Sequence, residues 1–199
     1  MYSRFVVKLE KRFNDTIELS NGTELYLDTK FNEFAHRVNE GEVTHTPIKY
    51  KTDIEVGDTL YFHHLVVLNE EQKAYGLENH YMVNYDPDLT INNQCIAVKK
   101  KDTGEIKPIG GWVVLSPIEK KEEECDAWLN HLGIELVSLE DDNDHRKGTV
   151  AFECDKCREL GIKEGDVVGF KKNGDYRFKI DGIEYFRLHP DFLLYVEEN

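Results

Sequence analysis

A pair of cysteines and a set of histidines are the residues of this 199-residue chain whose types and spacing could do chemistry. Cys154-x-x-Cys157 has the spacing of half a zinc site or of a redox dithiol. Zinc takes four ligands, and no second Cys-x-x-Cys exists, though Cys125, His131 and His145 lie in the same half. A redox dithiol works at a helix N-terminus that follows a strand, a context the local pattern does not predict. The alternative is a free thiol pair in a surface turn. Among the histidines, His63 and His64 are adjacent, and successive strand residues face opposite ways, so they are not expected to share an ion. His45 and one of that pair, with His63 as the candidate, could meet across neighbouring strands beside a carboxylate and hold zinc or iron. Histidines at strand ends or an interface are the alternative. The run Glu140-Asp141-Asp142-Asn143-Asp144 lacks the spaced ligands, central glycine and closing glutamate of a calcium loop and reads as a solvated loop. No nucleophile elbow, zinc-protease motif, phosphate loop or dinucleotide fingerprint occurs, so the expectation is a protein without catalytic residues, cofactor or metal.

These residues must be positioned mainly by strands. Alternating, Val- and Phe-rich runs cover Arg4 to Leu9, Leu25 to Leu27, Thr59 to Phe62, Tyr81 to Tyr85 and Gln94 to Lys99. The second half offers Gly111 to Ser116, Thr149 to Glu153, Val167 to Lys171, Tyr176 to Ile180, Glu184 to Leu188 and Leu193 to Glu197. Asn173-Gly174 and Asp181-Gly182 are hairpin signals. One helix is predicted, Glu122 to Leu132, with Cys125, Trp128, Leu129 and Leu132 on one face and Gly133 as its stop.

The chain also repeats itself. Phe5-Val6-Val7 returns as Trp112-Val113-Val114, Gly41-Glu42-Val43 as Gly148-Thr149-Val150, Ile54 to Asp58 as Ile162 to Asp166, and Leu60-Tyr61-Phe62 as Val168-Gly169-Phe170. The offsets are 107, 107, 108 and 108, in order, which indicates a duplicated module. The expected domains are 1–103 and 104–199. The first carries a loop at about 14–39 and an enlarged segment at 63–84; the second carries a loop at about 119–147 and a short turn at 171–175.

A net charge of −14 disfavours binding to phosphate backbones, so no nucleic-acid partner is expected. No apolar run is long enough to span a bilayer, so no membrane partner is expected either. The first residues show no secretory signal and the chain has four cysteines, which suggests free thiols in a reducing cytoplasm.

Three segments of the second half resemble the chaperonin-10, or GroES, family of co-chaperonins. Ile106-Lys107-Pro108-Ile109-Gly110-Gly111-Trp112-Val113-Val114-Leu115 is similar to the family's opening strand. Gly161 to Phe170, with Lys163-Glu164-Gly165-Asp166-Val167-Val168, resembles its Val-Lys-x-Gly-Asp-x-Val-x-Phe strand. Lys179-Ile180-Asp181-Gly182-Ile183-Glu184-Tyr185, continued by Asp191-Phe192-Leu193-Leu194-Tyr195-Val196-Glu197, resembles its closing segment. The first half matches more loosely, through Val6-Val7-Lys8, Gly41-Glu42-Val43 and Val56-Gly57-Asp58.

The resemblance implies an all-β fold of two tandem small irregular β-barrels, and a lid that caps an ATP-driven chaperonin ring around substrate proteins. The partners it implies are the chaperonin in its ATP-bound state, enclosed proteins and further copies of this chain. In the family a long loop after the first strand is disordered when free and docks on the chaperonin through an apolar tripeptide that follows glycines. The matching positions here are Gly22, Leu25, Tyr26 and Leu27 in the first module, and Gly133, Ile134 and Leu136 in the second. The cytoplasm of a bacterium, or of a host cell for a viral protein, is the implied location. The competing reading is a structural or assembly protein, for example a phage-associated one, that reuses the barrel without binding a chaperonin.

Overall fold

In the computed structural model, the structure describes residues 3–12, 16–19, 21–26, 37–87, 93–119, 143–172 and 174–197. The chain divides into two compact units, Met1–Trp112 and Val113–Asn199. The expected helix at Glu122 to Leu132 lies outside the described residues.

The first unit runs β1 (Arg4–Lys8), β2 (Thr16–Glu18), β3 (Glu24–Tyr26), β4 (Glu40–His45), β5 (Thr59–Phe62), a short helix α1 (Leu65–Leu68), β6 (His80–Asn84), β7 (Cys95–Lys99) and β8 (Ile106–Pro108). Six of these strands form one antiparallel sheet in the order β6-β1-β4-β5-β7-β8, and β2 and β3 pair apart from it. The alternation of β1 explains its place: Phe5 and Val7 are buried while Arg4 and Val6 are half-exposed. Phe5 and Val7 join Val43, Leu60, Phe62, Val83 and Val98 in the core.

The second unit runs β9 (Val113–Glu119), β10 (Asn143–Phe152), a helix α2 (Asp155–Glu159), β11 (Val167–Phe170), β12 (Asp175–Ile180), β13 (Ile183–Leu188) and β14 (Leu193–Val196). Its sheet order is β12-β13-β9-β10-β11-β14, again antiparallel. Val113, Leu115, Val150, Val168, Phe170, Phe186 and Leu188 make its core. The fold is therefore all-β, with two β-sheet units in tandem, as the sequence reading expects.

The two sheets share a plan. Five strands, β6-β1-β4-β5-β7, correspond in order to β13-β9-β10-β11-β14. The sixth strand differs: β8 sits beside β7 at one edge, and β12 beside β13 at the other. Where the second unit makes β12, the first unit spends the same stretch of chain on α1 and a 3-10 turn at Glu70–Gln72.

The repeated residues have a shared physical reason. The Gly57 N–H donates to the Val43 carbonyl at 2.8 Å, and the Gly165 N–H to the Val150 carbonyl at 2.9 Å. Val43 and Val150 in turn donate to the carbonyls of Asp58 and Asp166, each at 2.8 Å. The Asp58 carboxylate accepts from the Glu55 N–H at 2.9 Å, and Asp166 from the Lys163 N–H at 2.8 Å. Both turns need a left-handed residue, and Gly57 and Gly165 stand there with φ of 94° and 90°. Gly41 and Gly148 answer a different need: a Cβ would lie 3.0 Å from the Lys8 carbonyl oxygen at the first and 2.9 Å from Leu115 Cβ at the second.

Three details differ from expectation. The first unit's sheet continues past residue 103, because Val98 and Lys99 pair with Lys107 and Ile106 of β8. The Trp112 indole donates to the Cys95 carbonyl at 2.8 Å, and the second unit's first strand opens only at Val113. Finally, Asn173 lies outside the described residues, and the strands on either side of Asn173-Gly174 do not pair with each other: β11 pairs with β10 and β14, whereas β12 pairs with β13. Asp181-Gly182 does close one, between β12 and β13, with φ of 50° and 82°.

Candidate functional site

Within the first unit, β2 and β3 form a two-stranded hairpin with Thr16 opposite Tyr26, Ile17 opposite Leu25 and Glu18 opposite Glu24. Its turn is closed by the backbone: Leu19 donates to the Thr23 carbonyl and Gly22 to the Leu19 carbonyl, both at 2.8 Å. The Asn21 side chain accepts from the Thr23 N–H at 3.0 Å, and Gly22 takes the left-handed conformation with φ of 80°. Successive strand residues face opposite sides, yet Glu24, Leu25 and Tyr26 are all exposed. Neither face of β3 is covered. Leu25 is 47% and Tyr26 79% accessible, so the hairpin holds an aliphatic and an aromatic side chain in water next to each other.

Gly22, Leu25 and Tyr26, where the resemblance puts docking residues, lie on this one hairpin, with Leu25 and Tyr26 on opposite faces of β3. Leu27, Gly133, Ile134 and Leu136 lie outside the described residues. Other exposed apolar side chains sit on the enlarged segment, where α1 buries Val66 and Val67 but leaves Leu65 and Leu68 outside, and Tyr75 is fully accessible. Sequence reasoning marks that segment as longer but not as apolar-surfaced; the run Leu65-Val66-Val67-Leu68 on a single helical turn, too short to bury all four, is the signal it overlooks.

The histidine candidates do not converge. His45 ends β4, exposed, with its Nδ1 3.1 Å from the Thr44 hydroxyl. His63 Nδ1 accepts from the Leu65 N–H at 3.3 Å, so it shapes the turn into α1. The expectation that His63 and His64 face opposite ways is corrected: both follow β5, and their rings stack with centroids 4.7 Å apart. His64 is buried, and burial, then the positive charge of Arg37, pushes its imidazole down to about 4. Among the described residues, no three His, Cys, Asp or Glu side chains gather as a metal-holding group.

The cysteine pair is a larger correction. Cys154 and Cys157 are buried in the second unit's core, not displayed in a surface turn. The strand-then-helix context judged missing is present: β10 ends at Phe152, Cys154 is the N-cap residue of α2, and Cys157 falls in its first turn. The two sulfurs are 3.6 Å apart. The hydrogen bond between the two sulfurs lowers the Cys154 thiol, while that same bond and burial push Cys157 up. Cys95, by contrast, is fully buried and raised by desolvation.

Comparison with known proteins places this geometry. No family model matches the chain. It is 34% identical over 89 residues to a co-chaperonin GroES of Symbiobacterium thermophilum, a match that spans 42% of this chain and 86% of that protein. A match over most of that protein's length, on a chain that folds into antiparallel β-sheet units, has one conclusion: this chain belongs to the GroES co-chaperonin family.

Proposed function

We propose that this chain is a two-module co-chaperonin, a lid without catalytic activity that caps a chaperonin ring in its ATP-bound state and acts as an assembly of several copies. The tandem reading is supported by the shared five-strand plan and by the matched hydrogen bonds at Gly57 and Gly165. The docking reading rests on one observation: Leu25 and Tyr26 stand exposed on β3, in the segment that follows the first strand. A two-stranded hairpin in water is marginal by itself, so its exposed side chains gain most when a partner covers them. Burying a Leu or Tyr side chain contributes about 1.5–3 kcal/mol. Offset by ordering of the segment, one hairpin binds weakly; several copies on one assembly bind firmly yet release when the ring changes state.

The test is native mass spectrometry of the chain with a bacterial chaperonin ring, with and without ATP. The expected result is a complex that requires nucleotide and is lost in the double variant Leu25→Glu, Tyr26→Glu. Both residues are exposed, so the variant keeps the melting temperature of the parent within about 2 °C. A complex of undiminished strength in the folded variant would remove the hairpin from the docking role. No complex under any nucleotide condition would favour a structural protein on this barrel.

A further inference from the structure

The second unit holds two buried sulfurs that the lid role does not use. Cys154 and Cys157 pack among Val113, Val150, Ile162 and Phe170, where an aliphatic pair would fill the space without reactive atoms. Their placement is that of a dithiol rather than of two separate thiols. Cys154 caps α2, Cys157 lies one turn on, and the sulfurs are 3.6 Å apart, so a shift of about 1.5 Å would bring them to the 2.05 Å of a disulfide. The side chains already point at each other, sulfur to sulfur.

The pair is also asymmetric. Cys154 keeps 4% accessibility and Cys157 has none. An external reagent can thus meet Cys154 first. The hydrogen bond between the two sulfurs lowers the Cys154 thiol from its ordinary value and so favours its thiolate, the reactive form.

We infer that Cys154 and Cys157 form a reversible dithiol–disulfide site that exchanges with low-molecular-weight disulfides, Cys154 attacking and Cys157 resolving. The Cys154 thiolate attacks one sulfur of R–S–S–R, forming Cys154–S–S–R and releasing RS⁻. The Cys157 sulfur, its proton passing to released thiolate, then attacks the Cys154 sulfur. The Cys154–Cys157 bond forms and the second RS⁻ leaves. The Cys154 thiolate and the Cys157 thiol are oxidised, one R–S–S–R is reduced, and one R–SH and one RS⁻ are produced, the RS⁻ taking its proton from water.

The experiment equilibrates the intact, purified chain with glutathione mixtures from reduced to oxidised at pH 7, quenches with acid and reads mass and peptide linkage. The expected result is a species lighter by two hydrogens whose only linked peptide joins Cys154 to Cys157. In the Cys157→Ser variant, Cys154 is expected to carry one glutathione. In the reduced parent, Cys154 alkylates at least about tenfold faster than Cys95. A parent that stays reduced in oxidised glutathione, a disulfide through any other cysteine, or an adduct on a residue other than Cys154 in the variant overturns the assignment. The parent chain alone decides the first two outcomes, so a folding defect in the variant does not shelter the idea.

Discussion

At the residue scale, His64 shows how burial sets a charge state. Its imidazole sits in the first unit beside the positive charge of Arg37 and is held down to about 4. In the unfolded chain the group titrates near its ordinary value of 6.5. Between those values the unfolded state takes a proton that the folded state refuses, so stability falls as pH drops from about 6.5 to about 4. The full effect is on the order of 2–3 kcal/mol. His64→Gln removes the titration. Urea midpoints measured at pH 7.0 and 5.0 should fall less for the variant than for the parent, and equal falls would show that His64 is not kept neutral by the fold. Asp58 acts in the same sense, in a lower pH window. Burial pushes its carboxyl up, but N–H donors from Glu55 and Lys101 and the Lys100 ammonium at 3.0 Å outweigh it, and the net shift is downward. Its contribution is present above the ordinary carboxylate value and lost as pH falls through the lowered one.

At the element scale, the strands were legible and the pairings were not. Alternation in Arg-Phe-Val-Val-Lys announces β1, because one face of a half-buried strand must be apolar. The turn at Asp181-Gly182 was equally plain, since its left-handed backbone restricts the residues that fit. Asn173-Gly174 carried the same signal but joins strands that belong to different pairs, because a turn signal reports chain reversal and not partnership. Helix α2 went unread since five residues are too few to show a helical period, and with it went the meaning of Cys154 and Cys157. The hairpin of β2 and β3 was half legible: Leu25 and Tyr26 stood out by type, while their exposure needed the fold. The repeated glycines test the element-level argument directly. In Gly148→Ala the new Cβ would meet Leu115 Cβ at 2.9 Å and the Ser116 carbonyl at 3.1 Å, inside the β9–β10 pair. Strand separation must widen there, at a cost of about 1–3 kcal/mol. Chemical denaturation should show that loss; a variant as stable as the parent would mean that the repeat at position 148 has no packing cause.

At the scale of the whole molecule, charge governs how copies of the chain meet. The first 103 residues hold 17 acidic against 12 basic groups and the remainder 22 against 13, so both halves repel their counterparts in a second copy. A chain of net charge −14 that assembles must bring these fields together, and the repulsion acts over a Debye length of about 30 Å at 0.01 M salt but about 8 Å at 0.15 M. Apolar side chains on exposed surface, such as Tyr75, Leu194 and Tyr195, offer salt-independent attraction to set against it. Self-association should therefore strengthen as salt rises from 0.01 to 0.15 M, the reverse of an assembly held by complementary charge. Sedimentation velocity across that range at fixed protein concentration reads the result. Larger species at higher salt would support association through apolar contact and backbone pairing at strand edges. Dissociation with added salt would require opposite charges to be matched across the interface, and the dominance of the net field would have to be abandoned.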